Sequence, residues 1–323
     1  MRWFVANLLS LMLLSLGGPV AHASGRAVSF NGREYVRVSQ WARTNGLEVR
    51  WTAPGVELHV TGPHLSLVLT HDSRRIRING IGVWISGAVV MRDQEAYLPA
   101  LDVPTTLRPL LSPRRPPGGG IHTICLDPGH GGDDTGKRDG PRNEKQFTLL
   151  LARELGRLLE KGGYKVVYTR TSDQKVDLPT RPEIARQAKA DLFLSLHFNA
   201  FEGPAAQGLE VYCLTPVGAS STNANGEGAD SPACVGNRFD ERNVQLAFEL
   251  QKTLVRRLGR EDRGMRRARF AVLRDAAMPA VLIEGGFMSS PSESKWIYSS
   301  SERSKLAQAI VEALANYKRG SGL

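Results

Sequence analysis

Two rhythms divide the chain. From Ala27 to about Leu111, apolar and polar residues alternate in short runs such as VELHV (Val56–Val60) and RIRI (Arg75–Ile78), the period of a half-buried strand. Asn31-Gly32 and Asn79-Gly80 fall between such runs and mark turns. GREYVRVSQWA and QEAYLPALDV share a weak likeness, each a Tyr-containing strand leading toward a short helix. Past Gly120 the pattern changes. IHTICL reads as a short apolar strand, and Phe147, Leu150, Leu151, Leu155, Leu158 and Leu159 then recur at helical spacing until Gly162-Gly163 ends the helix. A strand YKVVYT, a helix RPEIARQAKA and the strands DLFLSLHF and GLEVYCL follow, then a helix over Asn243–Leu258. FAVL and AVLIEG read as strands, and a last helix runs from about Glu302 to Tyr317. This alternation predicts an α/β fold, a mainly parallel sheet with helices on both faces, preceded by a small, mostly β (α+β) domain.

Ser112–Gly120 (SPRRPPGGG) mixes stiff prolines with loose glycines and can bury little, so it reads as a linker between a small first domain (24–111) and a larger second domain (121–319). The candidate chemistry all lies beyond it, so the second domain is expected to work alone. The first residues belong to neither domain. Arg2, the apolar run Trp3–Leu16 and the small-residue ending Ala21-His22-Ala23 follow the order of a secretory signal peptide, 1–23, cut after Ala23. That run is shorter than the roughly 20 residues a membrane span needs. The expectation is an exported protein, in the periplasm or the extracellular cell wall, with no stable membrane span once the leader is cut.

Charge and cysteine content matter mainly through that export. The formal net charge is +10, and losing Arg2 with the leader lowers it by one to +9. Nucleic acid is a poor partner outside the cytoplasm, and no aromatic-plus-basic recognition motif is present. An anionic envelope polymer suits the sign, although charge that merely solubilises a surface looks the same. Disulfides persist in exported proteins. Cys213 and Cys234 bracket a Ser/Asn/Gly-rich stretch and are the candidate pair, while Cys125, inside a strand, reads as a small buried hydrophobe. No CxxC pair exists, which argues against a thiolate zinc knuckle.

Four positions place a ligand or base at a strand end or helix start. His130 follows ICLDPG, Glu144 opens the long helix, His197 ends LFLSLH, and Glu284 ends AVLIE before Gly285-Gly286. Two histidines and a glutamate leaving one position open are a ligand set typical of catalytic zinc. A further glutamate free of the metal could move a proton. Each has a plainer reading: Glu144 as a carboxylate favoured at a helix N-terminus, His197 as a hydrogen-bonded core histidine, Glu284 as an arginine's ion-pair partner. Spacing alone leaves both sets open.

The segments LDPGHGGDDTG, NEKQFTLLLARELGRLLEKGGYKVVYTRTSD, ADLFLSLHFNA and RGMRRARFAVLRDAAMPAVLIEGGFMSS, in that order, resemble the successive motifs of the zinc-dependent N-acetylmuramoyl-L-alanine amidases. The resemblance runs from about Ile121 to Tyr317. It implies one zinc ion bound by His130, Glu144 and His197, with Glu284 as the catalytic carboxylate. It further implies a peptidoglycan substrate, cut between N-acetylmuramic acid and the L-alanine of the stem peptide during wall remodelling or cell separation. Asn199, Arg263, Arg266 and Arg267 are the candidate substrate contacts, with Arg269 in the same basic run. Arg186, Gly285 and Ser290 depart from the family pattern and bear on substrate fit. The stretch STNANGEGADSPA stands where some relatives carry a plugging helix, and its composition suits a mobile rim better. Ala27–Leu111 more loosely resembles the stalk-type domains of copper amine oxidases, without a copper ligand set. An inactive wall-binding relative and a zinc peptidase acting within the stem peptide are the competing readings, and an activator protein is left open.

Overall fold

The computed structural model describes residues 27–113, 120–201, 206–223 and 231–320. The expected leader 1–23, linker residues 114–119 and the middle of the stretch between Cys213 and Cys234 lie outside the described residues. The first part comprises β1 (Val28–Phe30), β2 (Arg33–Arg37), α1 (Val38–Thr44), β3 (Glu48–Ala53), β4 (Glu57–Gly62), β5 (Leu65–Thr70), β6 (Arg75–Ile78), β7 (Ile81–Trp84), β8 (Val90–Arg92) and β9 (Glu95–Pro99). A π-helical turn (Val103–Leu107) and α2 (Arg108–Leu111) complete it. The two similar sequence stretches are β2 and β9, which pair antiparallel with Tyr35 opposite Pro99 and each lead toward a helical segment. With outer partners β1 and β8 they form a four-stranded sheet.

The second part comprises β10 (Thr123–Pro128), the two-residue strands β11 (Arg138–Asp139) and β12 (Arg142–Asn143), α3 (Glu144–Lys161), β13 (Lys165–Tyr168), α4 (Thr180–Gln187), β14 (Leu192–Asn199) and β15 (Leu209–Leu214). It continues with α5 (Asp240–Leu258), β16 (Asp262–Ala268), α6 (Ala271–Arg274), β17 (Ala280–Phe287), α7 (Pro291–Tyr298) and α8 (Ser300–Arg319). The order β13-β10-β14-β17-β15-β16 is parallel except where β15 runs against β17. Alternation along each strand feeds two cores. Leu126, Leu194 and Ile283 meet Leu155 of α3, Leu250 of α5 and Ile310 of α8 on one face. Cys125, Phe193, Tyr212 and Leu282 meet Ala185 of α4 and Leu273 of α6 on the other. The fold is therefore α/β with helices on both faces, as the pattern predicts.

Two features differ from that pattern. FAVL is not a strand: Ala271–Arg274 is helical, and the strand is the preceding basic run, Asp262–Ala268. Its arginines are tied to buried acceptors described below, which lets a charged run lie inside a sheet. The second difference is at the linker, which does not divide the sheet. β7 pairs parallel with β16, Val83 beside Met265, and extends it through β6, β5, β4 and β3 into a single sheet of eleven strands. Leu107 and Leu110 share the core of α5, and Gln245 of that helix donates to the Pro109 carbonyl at 3.0 Å.

Candidate metal and catalytic site

The site lies where β10, β14 and β17 end and α3 begins. Gln146 accepts from the Asn143 N–H at 3.2 Å, fixing the start of α3 so that Glu144 is its first residue. Side chains alternate along β14, so Ser195, His197 and Asn199 share the face of α4 and α6. His130 comes from the loop after β10.

His130, Glu144 and His197 converge, each offering a ligand atom within 4.8 Å of the others. Glu144 Oε1 lies 3.1 Å from His130 Nε2 and 3.0 Å from His197 Nδ1, and it accepts from the Phe198 N–H at 3.1 Å. Oε2 accepts from the Lys137 N–H at 3.0 Å. Burial opposes ionisation of this carboxyl, but the hydrogen bonds from His130 and His197 outweigh it and hold Glu144 well below the usual carboxylate range. His130 Nδ1 is 2.9 Å from the Asp134 carboxylate, which fixes the ring and leaves Nε2 facing Glu144. For His130, burial lowers proton affinity, and Glu144 and Asp134 together more than restore it.

The glycines of the loop have a steric role here. A Cβ at Gly129 would fall on the imidazole of His197, and one at Gly136 would lie 2.6 Å from both Glu144 Oε2 and His130 Cδ2. His130 itself has φ +61°, a left-handed conformation costing about 1–2 kcal/mol for a residue with a Cβ. Two buried arginines hold the loop there. Arg181 donates to the Asp127 carboxylate at 2.7 Å and to the carbonyls of Pro128 and His130, each at 3.0 Å. Arg170 donates to the Pro128 carbonyl at 3.0 Å and to those of Gly129 and Lys145 at 2.8 Å. Asp127 also accepts from Thr169 and Ser195.

Glu284 stands opposite His197 across β14 and β17, and opposite Glu210 across β17 and β15. It is half-buried, and its Oε2 is shielded without a hydrogen-bond partner among the described residues. Burial first, then the charges of Glu144 and Glu210, push its carboxyl well above the ordinary range. Among the described residues it has no arginine as ion-pair partner: that role falls to Glu210, which is 1% exposed. Arg263 Nε and Arg266 Nη1 both donate to Glu210 Oε1 at 2.7 Å, while Asn199 Nδ2 and Tyr212 OH donate to Oε2 at 3.0 and 2.8 Å.

Of the expected substrate contacts, Asn199, Arg263 and Arg266 thus gather around Glu210. Arg267 does not join them. It follows Arg266 on the strand and faces the other side, buried, donating to the Leu214 carbonyl, the Thr105 carbonyl and Thr106 Oγ1. Arg269 likewise secures a loop through the carbonyls of Thr215, Pro216 and Ala219. The expected Cys213–Cys234 bridge is absent, and all three cysteines are free. Cys213 packs in the core under α5 and Cys234 against the opposite core, so the sheet separates their thiols. Of the three departures, Arg186 pairs with Glu183 along α4, Gly285 faces Leu306 and Phe198, and Ser290 precedes α7 with its hydroxyl on that of Ser292. Glu210, Asp134 and the Asp127–Arg181 pair escaped the sequence reading. A lone acid inside the apolar run GLEVYCL was a usable signal, since a buried charge needs partners.

Residues 124–316 match the family model described as N-acetylmuramoyl-L-alanine amidase, so the match begins in β10 and leaves out 27–113. Among curated proteins, N-acetylmuramoyl-L-alanine amidase AmiC of Neisseria meningitidis serogroup B is 36% identical over 231 residues, which is 64% of this chain and 55% of that protein. The chain therefore spans little more than half of that relative's length. Among solved structures, an N-acetylmuramoyl-L-alanine amidase from Clostridium difficile 630 is 32% identical with a TM-score of 0.52, covering 63% of this chain and 100% of its own. The amidase AmiC2 of Nostoc punctiforme is 30% identical with a TM-score of 0.52, covering 62% and 99%.

Proposed function

The chain belongs to the N-acetylmuramoyl-L-alanine amidase family, and on that premise we propose that it hydrolyses the amide between the lactyl group of N-acetylmuramic acid and the L-alanine of the stem peptide. In this reading it acts on peptidoglycan outside the cytoplasm, delivered by the leader 1–23, in wall remodelling or cell separation. Among the described residues no helix is long and apolar enough to cross a membrane.

The observation that carries this reading is the convergence of His130, Glu144 and His197 beside a carboxyl, Glu284, that has an unpartnered buried oxygen. Two imidazoles and one carboxylate fit zinc, which in hydrolytic sites takes three protein ligands and keeps one position open. When bound there, zinc supplies a Lewis acid and makes water acidic near neutral pH. Asp134 holds the His130 ring in place, and the backbone N–H groups of Phe198 and Lys137 hold the Glu144 carboxylate between the two histidines. A cation held by His130, Glu144 and His197 would offset the carboxylates that raise the Glu284 proton affinity. Glu284 then takes a proton from the attacking water and returns it to the alanine nitrogen, so the amine leaves neutral. A C–O bond forms and the C–N bond breaks, giving a lactyl carboxylic acid on the glycan and a free N-terminal alanine; the acid then ionises and its proton goes to the released amine. Glycines at 129 and 136 keep side chains out of the space that this chemistry occupies.

Mass spectrometry of purified muropeptides digested by the full chain tests the bond assignment. The expected products are peptide-free disaccharide and a stem peptide beginning with alanine. Products cut within the stem peptide, with alanine still joined to the sugar, would make the chain a peptidase.

A further inference from the structure

Residues 27–113 lie outside the family match, yet they reach β16, the strand that carries Arg263 and Arg266. Trp84, the last residue of β7, donates its indole Nε1–H to the Arg263 carbonyl at 2.8 Å. Its ring lies 4.5 Å from the Arg266 guanidinium, closer than Tyr212 on the same strand layer at 5.8 Å. Arg266 Nε has no hydrogen-bond partner among the described residues. The plane of that guanidinium therefore depends on the Trp84 face and on the bond to Glu210. The approach of β7 to β16 is built for this contact. Asp262 accepts from the Gly82 N–H at 2.6 Å, and Gly264 has φ +94° with only 2.9 Å between an added Cβ and the Gly82 carbonyl oxygen. No larger residue fits at 264 without parting the two strands.

We propose that the N-terminal segment is part of the substrate-binding wall, with Trp84 a positioning residue that holds Arg263 and Arg266 on Glu210, beside Glu284, to receive a carboxylate of the stem peptide. This rests on the amidase reading above. Glu210 is buried and fixed between strands, so it anchors both arginines by one oxygen while Trp84 sets their approach. Arg263, its side chain 29% exposed against 13% for Arg266, is the one that reaches solvent. An arginine held at Nε keeps its terminal N–H groups for a bidentate carboxylate. Trp84 touches no reacting atom in this account and acts through the arginines.

The test uses the full chain with Trp84→Leu and Trp84→Phe, and two muropeptides that differ only in whether the stem carboxylates are free or amidated. Leu keeps apolar bulk and removes the ring face; Phe keeps a ring under Arg266. The wild type is expected to favour the free-carboxylate substrate in kcat/KM. Trp84→Leu should lower that preference about tenfold, the scale of one shielded cation–π contact, with zinc content unchanged, and Trp84→Phe should restore most of it. A merely structural role would slow both substrates by the same factor, and that result overturns the inference while leaving the amidase reading intact. A wild type that cleaves neither substrate overturns both. Should Trp84→Leu fail to fold, Trp84→Met carries the same test, since it keeps apolar bulk and removes the ring face under Arg266; an unchanged preference there is equally contrary.

Discussion

His130 shows how tightly single residues are constrained in this site. It accepts a left-handed backbone because Arg181 and Arg170 bind the carbonyls around it, and its ring is held by Asp134 on one side and Glu144 on the other. Breaking the buried Asp127–Arg181 pair would leave an uncompensated charge, a loss of about 3–5 kcal/mol in general. The glycines are the sharper probe. Gly129→Ala places a methyl on the His197 ring, which cannot yield without leaving Glu144. The expected outcome is a folded chain whose zinc affinity falls roughly tenfold or more, the scale seen when the shell around metal ligands is disturbed. Metal titration with far-UV circular dichroism on the same sample checks it. Undiminished zinc affinity would mean the close approach at Gly129 is incidental.

Elements decide which of these residues meet. His197 and Glu284 are adjacent because β14 and β17 pair in register, and Glu210 joins them because β15 runs antiparallel to β17 at the same level. The four central positions drew attention in the sequence because His197 and Glu284 interrupt apolar strands, Glu144 opens an apolar helix and His130 stands in the glycine loop after a strand, where an open sheet gathers its sites. Spacing left their roles open, and the family resemblance supplied them. β16 was not legible. Its arginines hide any period, and the strand is stabilised by Glu210 and by carbonyls that only the folded chain brings near. FAVL misled for the converse reason, since a short apolar run fits a buried helical turn as well as a strand. The cysteine pair failed on orientation: sequence separation says nothing about which face of a sheet each thiol occupies.

At the scale of the whole molecule, composition suggested two units joined by a linker, whereas one sheet runs through both. A chain beginning at Gly120 would expose the β16 edge and uncover α5 where Leu107 and Leu110 pack. Open strand edges invite association. Such a truncation should melt below the full chain and self-associate in light scattering, and a monomer with an unchanged melting temperature would restore the two-unit view. The central claim concerns what the full chain does with the half-buried Glu284 carboxyl. Glu284→Gln keeps the shape of the side chain and leaves His130, Glu144 and His197 untouched. Zinc content and muropeptide hydrolysis are to be measured on one sample of that variant. The account predicts full zinc occupancy with turnover reduced about 10²–10⁴-fold, the usual worth of a general acid–base group, and wild-type turnover at full zinc occupancy would contradict it.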